Sequence, residues 1–272
     1  MPTEEPISVS AFNTLELEIN AGGIATVWLN RPEKNNAFNA EMIAELLRAL
    51  SEIQMNDELR FLILRGRGKH FSAGADLSWM QACAQLDYDA NLNDARELSK
   101  LMASLAQLKV PTLAVVQGAA FGGALGLISC CDIAIGTEDS LFSLSEVRIG
   151  LLPAVISPYV AQAIGPRAAR RYALTAERFD GKRAQQLGLL AEAYPAADLE
   201  SELHGWVANL LLNSPQAMRA TKALMQQVKH GDLTPDLRSY TESAIASIRV
   251  SKEGQEGLSA FLDKRKPQWL LT

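Results

Sequence analysis

The chain has 272 residues, 48% hydrophobic and 21% charged, with 26 Lys and Arg against 31 Asp and Glu and a formal net charge of −5; this fits one large domain or a core with a smaller appendage and excludes disorder and fibrous repeats. An acidic balance gives no overall attraction for nucleic acid, which needs a basic face. Three cysteines, Cys83, Cys130 and Cys131, are too few for a disulfide framework and match no common metal spacing, so they read as reduced structural thiols of a cytoplasmic protein.

Residues 1–10 carry Glu4, Glu5 and Pro6 where a signal peptide would carry basic residues and then an apolar run, so export is not expected. Leu15, Leu17 and Ile19 alternate with polar residues, Ala21-Gly22-Gly23 turns the chain, and Ala25, Val27 and Leu29 resume the alternation, which predicts a β-hairpin. From Asn39, a candidate N-cap, apolar residues at Met42, Leu46, Leu47, Leu50 and Ile53 recur at helical spacing. Phe61-Leu62-Ile63-Leu64 reads as a strand buried on both faces. Residues 77–108 are polar-rich and helical in propensity.

Residues 112–131 contain no charge and are about long enough to span a bilayer. Gln117 and Gly118, Gly122, Gly123 and Gly126 interrupt them, and no basic cluster flanks them, so the stretch reads as a buried strand leading straight into a glycine-rich turn and a helix rather than a membrane span. Ile133-Ala134-Ile135 supplies a further strand. Strand and helix alternate with connections too long for hairpins, which predicts an α/β fold with parallel pairing. After about residue 198 the chain reads as helical, with a Ser214-Pro215 helix start and a last helix around residues 254–264. This predicts a core over residues 1–197 and a helical appendage over 198–272. His70, His204 and His230 stand isolated, so no metal site is expected.

Two segments share a design of buried strand, small residues and glycine, then helix: His70-Phe71-Ser72-Ala73-Gly74-Ala75-Asp76-Leu77 and Gly118-Ala119-Ala120-Phe121-Gly122-Gly123-Ala124-Leu125-Gly126. Small side chains let a ligand reach the backbone, and an N–H at a helix N-terminus has no intrahelical acceptor and the positive end of the helix dipole behind it. Two such donors on one oxygen would form an oxyanion hole; alternatively, the glycines serve only tight turns and close packing. Asp76 reads as the cap of a helix starting at Leu77.

With these segments, Leu29-Asn30-Arg31-Pro32, Cys131-Asp132-Ile133, residues 142–150 and Glu256-Gly257-Leu258-Ser259-Ala260-Phe261-Leu262-Asp263-Lys264-Arg265, the chain resembles the crotonase (enoyl-CoA hydratase/isomerase) superfamily over nearly its whole length. The resemblance implies an α/β spiral of repeated β-β-α units, a C-terminal helical trimerisation region, a homotrimer or a hexamer built as a dimer of trimers, and an acyl-CoA thioester as ligand. No cofactor is implied beyond the CoA of the substrate. The family's oxyanion donors fall on the N–H groups of Ala75 and Gly123. Backbone around Ser72, Ala73, Ala75, Asp76, Leu77 and Gly122 would contact the acyl-CoA. Arg31 and Lys34 would lie near its phosphates, and Phe261 and Lys264 would reach over from the last helix; the other reading of Lys264-Arg265-Lys266 is a solvated helix end.

One family carboxylate maps onto Glu146, among Leu144, Val147, Ile149 and Leu151, where partial burial would raise its pKa toward working pH; the alternative is a surface pair with Arg148. The family's other carboxylate is missing, its place taken by Gly126. The wording of residues 122–132, 145–150 and 153–158 resembles bacterial hydratases of branched glutaconyl-CoA, enzymes of leucine, isovalerate and acyclic terpene breakdown. The expected activity is hydration of 3-methylglutaconyl-CoA, with Arg148 a candidate partner for the distal carboxylate. The alternatives are a Δ3,Δ2-enoyl-CoA isomerase, which needs one Glu, and a relative that binds acyl-CoA or RNA without turnover.

Overall fold

The computed structural model describes residues 8–10, 12–228 and 232–270; His230 lies outside the described residues. The hairpin forms as expected: β2 (Leu15–Ile19) pairs antiparallel with β3 (Ile24–Leu29), and β1 (Ser8–Ser10) adds to its outer edge. α1 (Ala40–Met55) begins where the Asn39 side chain accepts a hydrogen bond from Met42 N at 2.9 Å. It buries Met42, Ile43, Leu46, Ala49, Leu50 and Ile53, the stripe that a 3.6-residue repeat places on one side.

β4 (Phe61–Gly66) is followed by α2 (Leu77–Cys83), α3 (Tyr88–Ala106) and β5 (Thr112–Val116). Phe61 to Leu64 are all buried because parallel neighbours β3 and β5 flank β4 on either side and its faces are covered. Then come β6 (Ala119–Phe121), α4 (Gly123–Cys130), β7 (Ile133–Thr137) and β8 (Leu141–Ser143). The expectation that β5 leads straight into the helix is corrected here. A three-residue strand intervenes, and Ala119-Ala120-Phe121 is too short to show an alternation in sequence.

α5 (Ser157–Ile164), α6 (Pro166–Thr175), β9 (Phe179–Asp180), α7 (Gly181–Leu187) and β10 (Glu192–Tyr194) complete the layers. The large sheet has seven strands in the order β1-β2-β3-β4-β5-β7-β10, parallel from β3 onward, and a second sheet has the order β6-β8-β9. The uncharged stretch of residues 112–131 is thus two strands and a short helix, and no helix among the described residues is long and apolar enough to cross a membrane.

The chain divides into two compact units, Met1–Leu108 with Thr112–Glu202, and Lys109–Pro111 with Leu203–Thr272. Helices α8 (Leu199–Leu211), α9 (Pro215–Val228), α10 (Pro235–Val250) and α11 (Lys252–Leu262) run through the C-terminal part. Within the second unit the Glu253 carboxylate accepts from Ser214 Oγ at 2.5 Å and Gln216 N at 3.0 Å, and Lys222 Nζ donates to Val110 O at 3.0 Å. The last helix starts two residues before its expected position, since Ser251 Oγ accepts from Gly254 N at 3.0 Å and caps it.

Candidate active site

Backbone hydrogen bonds stitch the two glycine segments together. Ser72 N donates to Ala119 O and Phe121 N donates to Ser72 O, each at 3.1 Å. On the other side, Phe38 N donates to Gly74 O at 2.7 Å and Asp76 N to Phe38 O at 2.8 Å. In a parallel bridge of this kind the residue between, Ala75, directs its own N–H away from the bridge. Gly122 N donates to Ser143 O at 3.0 Å, which leaves Gly123 as the first residue of α4, with an N–H that no carbonyl of the helix reaches. Neither the Ala75 nor the Gly123 N–H has an acceptor among the described residues, and both residues line one cavity of about 770 Å³, within the usual range for a small-molecule site. Gly122 holds φ 52° and ψ −121°, a backbone that favours glycine, and a β-carbon there would crowd Glu146 Oε1 at 3.2 Å.

Glu146 lines the same cavity from the start of the short 3-10 turn Glu146–Ile149. Its Oε2 is buried without a hydrogen-bond partner, and burial pushes its pKa up. The surface pair with Arg148 does not form: Arg148 Nη2 donates to Ala176 O at 3.2 Å, and Arg148 is not among the residues lining the cavity. A raised folded pKa means that the fold favours the protonated carboxyl, so the stabilising contribution is present at acid pH and is lost as pH rises through that pKa. Glu146→Gln should therefore melt higher than the wild type at mildly alkaline pH, by roughly 2 °C or more, with the gap closing on acidification; thermal melts across pH check this.

The place of the missing second carboxylate is filled by another element. A β-carbon at Gly126 would overlap Ile156 Cγ2 and sit 3.0 Å from Met102 Sδ, and Leu125, Leu127 and Ile128 are buried around it. Gly126→Ala should cost about 1–3 kcal/mol through overpacking, read as a lower Tm, and the double variant with Ile156→Ala should show a favourable coupling.

The remaining predicted residues are distributed as follows. Arg31 and Asp76 engage each other: Arg31 Nη2 lies 3.0 Å from Asp76 Oδ2 and Nη1 donates to Ala37 O at 2.6 Å. Asp76 also caps α2, accepting from Ser78 N at 2.8 Å and Trp79 N at 3.4 Å, and these donors hold its carboxyl below the usual range against the desolvation that raises it. The pair braces the loop carrying Ala75. Ser72 is buried, and its Oγ accepts from Gly74 N at 3.3 Å; Ala73 N donates to Asn35 O at 2.9 Å. Lys34 and Leu77 are exposed. In the second unit Phe261 is 82% exposed on α11, and Lys264 follows with φ 53°. His70 Nδ1 accepts from Ala119 N at 2.9 Å, a structural bond, and burial lowers its pKa. His204 is exposed, and no metal-ligating cluster occurs among the described residues.

Sequence reasoning did not assign the individual residues of most of the cavity wall. Trp79, Met80 and Cys83 come from one face of α2, Ala84 from its C-cap, Asn91, Asp94, Ala95 and Leu98 from one face of α3, and Phe38 lines the cavity as well. The signal was present: residues 91, 94, 95 and 98 follow helical i, i+3, i+4, i+7 spacing, and that face carries an Asp among apolar residues. Cys83, read as a structural thiol, is a wall residue whose pKa burial raises, which keeps it a thiol rather than a thiolate.

A family model described as enoyl-CoA hydratase/isomerase matches residues 19–270. A crystal structure of an enoyl-CoA hydratase from Shewanella pealeana superposes with TM-score 0.91 at 48% identity, over 95% of this chain and 96% of that one. A putative enoyl-CoA hydratase of Thermus thermophilus is 31% identical over 93% of this chain and 100% of its own length. The 2,3-dehydroadipyl-CoA hydratase of Escherichia coli is 30% identical over 89% of this chain and 92% of its own length.

Proposed function

The chain belongs to the enoyl-CoA hydratase/isomerase family, and from that premise we propose that it adds water across the α,β double bond of a 2-enoyl-CoA, with 3-methylglutaconyl-CoA as the substrate. The observation that carries the hydration reading is the convergence of two unpartnered N–H groups, of Ala75 and Gly123, and one buried carboxyl, Glu146, on a single cavity. The thioester oxygen sits between the two N–H groups. As water attacks the β-carbon, charge moves onto that oxygen, and donors already in place stabilise it there. Glu146 delivers the proton to the α-carbon. The chemistry needs only backbone and carboxylates, so no cofactor is proposed beyond the CoA of the substrate itself.

The finer choice of substrate is supported by the wording of residues 122–132, 145–150 and 153–158 and by likeness to a hydratase of another enoyl-CoA, 2,3-dehydroadipyl-CoA. The described lining of the cavity holds no Lys, Arg or His, and Arg148 is engaged elsewhere. In this reading the carboxymethyl arm points to the open rim, where Ile149, Leu151 and Leu152 are exposed, and stays hydrated. The proposal includes a cytoplasmic trimer or dimer of trimers, checked by light scattering. A second reading, Δ3,Δ2 isomerisation, is favoured by one observation: Ile156 occupies the space beside Gly126, and one carboxylate suffices to shuttle a proton between carbons.

The test is mass-resolved turnover of 3-methylglutaconyl-CoA and crotonyl-CoA. A product heavier by one water, formed faster from the branched substrate, supports the full proposal. Water gained by crotonyl-CoA alone overturns the choice of substrate, and isomerisation without water gain overturns the hydration reading.

A further inference from the structure

A hydratase must take a proton from water and deliver one to the α-carbon, and at Gly126 the fold leaves no room for the second carboxylate that two-Glu relatives use. A second carboxylate nevertheless faces the cavity. Asp94 sits on the α3 face formed by Asn91, Asp94, Ala95 and Leu98, and it lines the same cavity as Ala75, Gly123 and Glu146. The Trp79 side chain, from the α2 stripe that lines the same cavity, opposes the burial that raises the Asp94 carboxyl. We propose that Asp94 is the second catalytic carboxylate of this site, the base that takes the proton from the attacking water, while Glu146 is the acid that protonates the α-carbon. This rests on the hydratase reading and deepens it.

Burial pushes both carboxyls up, toward the range in which a carboxyl can give or take a proton at working pH. Glu146 has a buried oxygen with no donor, so its neutral, proton-bearing form is favoured. Burial pushes Asp94 up as well, and the Trp79 side chain works in the opposite direction, since a polar N–H near a carboxylate favours the charged form; for Glu146 its own backbone N–H is the opposing influence. The other titratable group on the described cavity wall is the Cys83 thiol, itself raised by burial and by Asp94. Behind Asp94 on α3, Arg96 Nη1 is bonded to Asn93 Oδ1 at 2.9 Å.

The step balances. Asp94 accepts a proton as the water oxygen bonds to the β-carbon, the π pair moves through the α-carbon onto the thioester oxygen, and the enolate collapses as the α-carbon takes the Glu146 proton. The product gains one water. Asp94 ends protonated and Glu146 ionised, and proton exchange through solvent in the open cavity returns the proton to Glu146.

The experiment compares the wild type, Asp94→Asn and Trp79→Phe on a 2-enoyl-CoA over a range of pH. Expected are a fall in kcat of about 10²–10⁴-fold for Asp94→Asn with KM little changed, and for Trp79→Phe an acid limb of the kcat profile moved to higher pH. That shift follows because the lost donor had favoured the charged carboxylate, and a merely structural Asp94 would not produce it. If Asp94→Asn keeps its kcat, or only raises KM, or if the acid limb stays in place in Trp79→Phe, the assignment is overturned. A wild type that adds no water to any 2-enoyl-CoA overturns the hydratase reading itself and the assignment with it, so the two failures are distinguishable.

Discussion

Replacing Glu146 by Gln should lower the rate of water addition by about 10²–10⁴-fold while the Kd for acyl-CoA stays close to that of the wild type. The substitution keeps the shape of the side chain and removes its capacity to carry and release a proton. Glu146 Oε2 is buried and unbonded, the influence of its own backbone N–H on the carboxyl is one the Gln carbonyl oxygen can keep, and Arg148 is held by Ala176 O. The packing of Leu144 and Phe142 behind the turn is untouched, so an inactive Glu146→Gln that melts at or above the wild-type temperature separates loss of chemistry from loss of fold. Steady-state kinetics beside acyl-CoA titration check this; a variant that keeps its kcat would remove Glu146 from the proton path.

Removing one backbone donor should be about as costly. Gly123→Pro deletes the N–H without deleting the residue, and position N1 of a helix is where proline is best tolerated. A β-carbon at 123 meets only the Phe38 ring, at 3.6 Å. The expected loss is about a hundred- to a thousandfold in kcat, with a smaller effect on binding, because the interaction strengthens as charge develops on the thioester oxygen. Gly123→Ala, which keeps the N–H, should retain much more of the activity. Equal losses in the two variants would show that crowding near Phe38, not the donor, is what matters.

What could be read in the sequence follows from how local the determining interactions are. The hairpin, α1 with its Asn39 cap, the buried β4 and the Asp76 cap each depend on residues a few positions apart, so spacing alone revealed them. Glu146 was assigned through the family resemblance; its apolar neighbours Leu144 and Val147 were consistent with burial but left a surface pair with Arg148 open. β6 was not legible, since Ala119-Ala120-Phe121 becomes a strand only through β8 and Ser72. Nor could sequence show that Ile156 fills the space beside Gly126 or that Trp79 and Asp94 meet, because each pair joins different elements. Arg31 was placed beside the phosphates by the family resemblance; sequence did not show that its guanidinium also braces the Ala75 loop through Asp76.

The central claim is that water is added at this cavity under the control of Glu146, and isotope incorporation tests it most directly. The purified chain is given 3-methylglutaconyl-CoA in water enriched in heavy oxygen and deuterium, with Glu146→Gln run in parallel. The account predicts a hydroxyacyl-CoA from the wild type that carries both labels, the oxygen at the β-carbon and the deuterium at the α-carbon, and almost none from the variant. Deuterium entering recovered acyl-CoA without any heavy oxygen would contradict it and make the chain an isomerase.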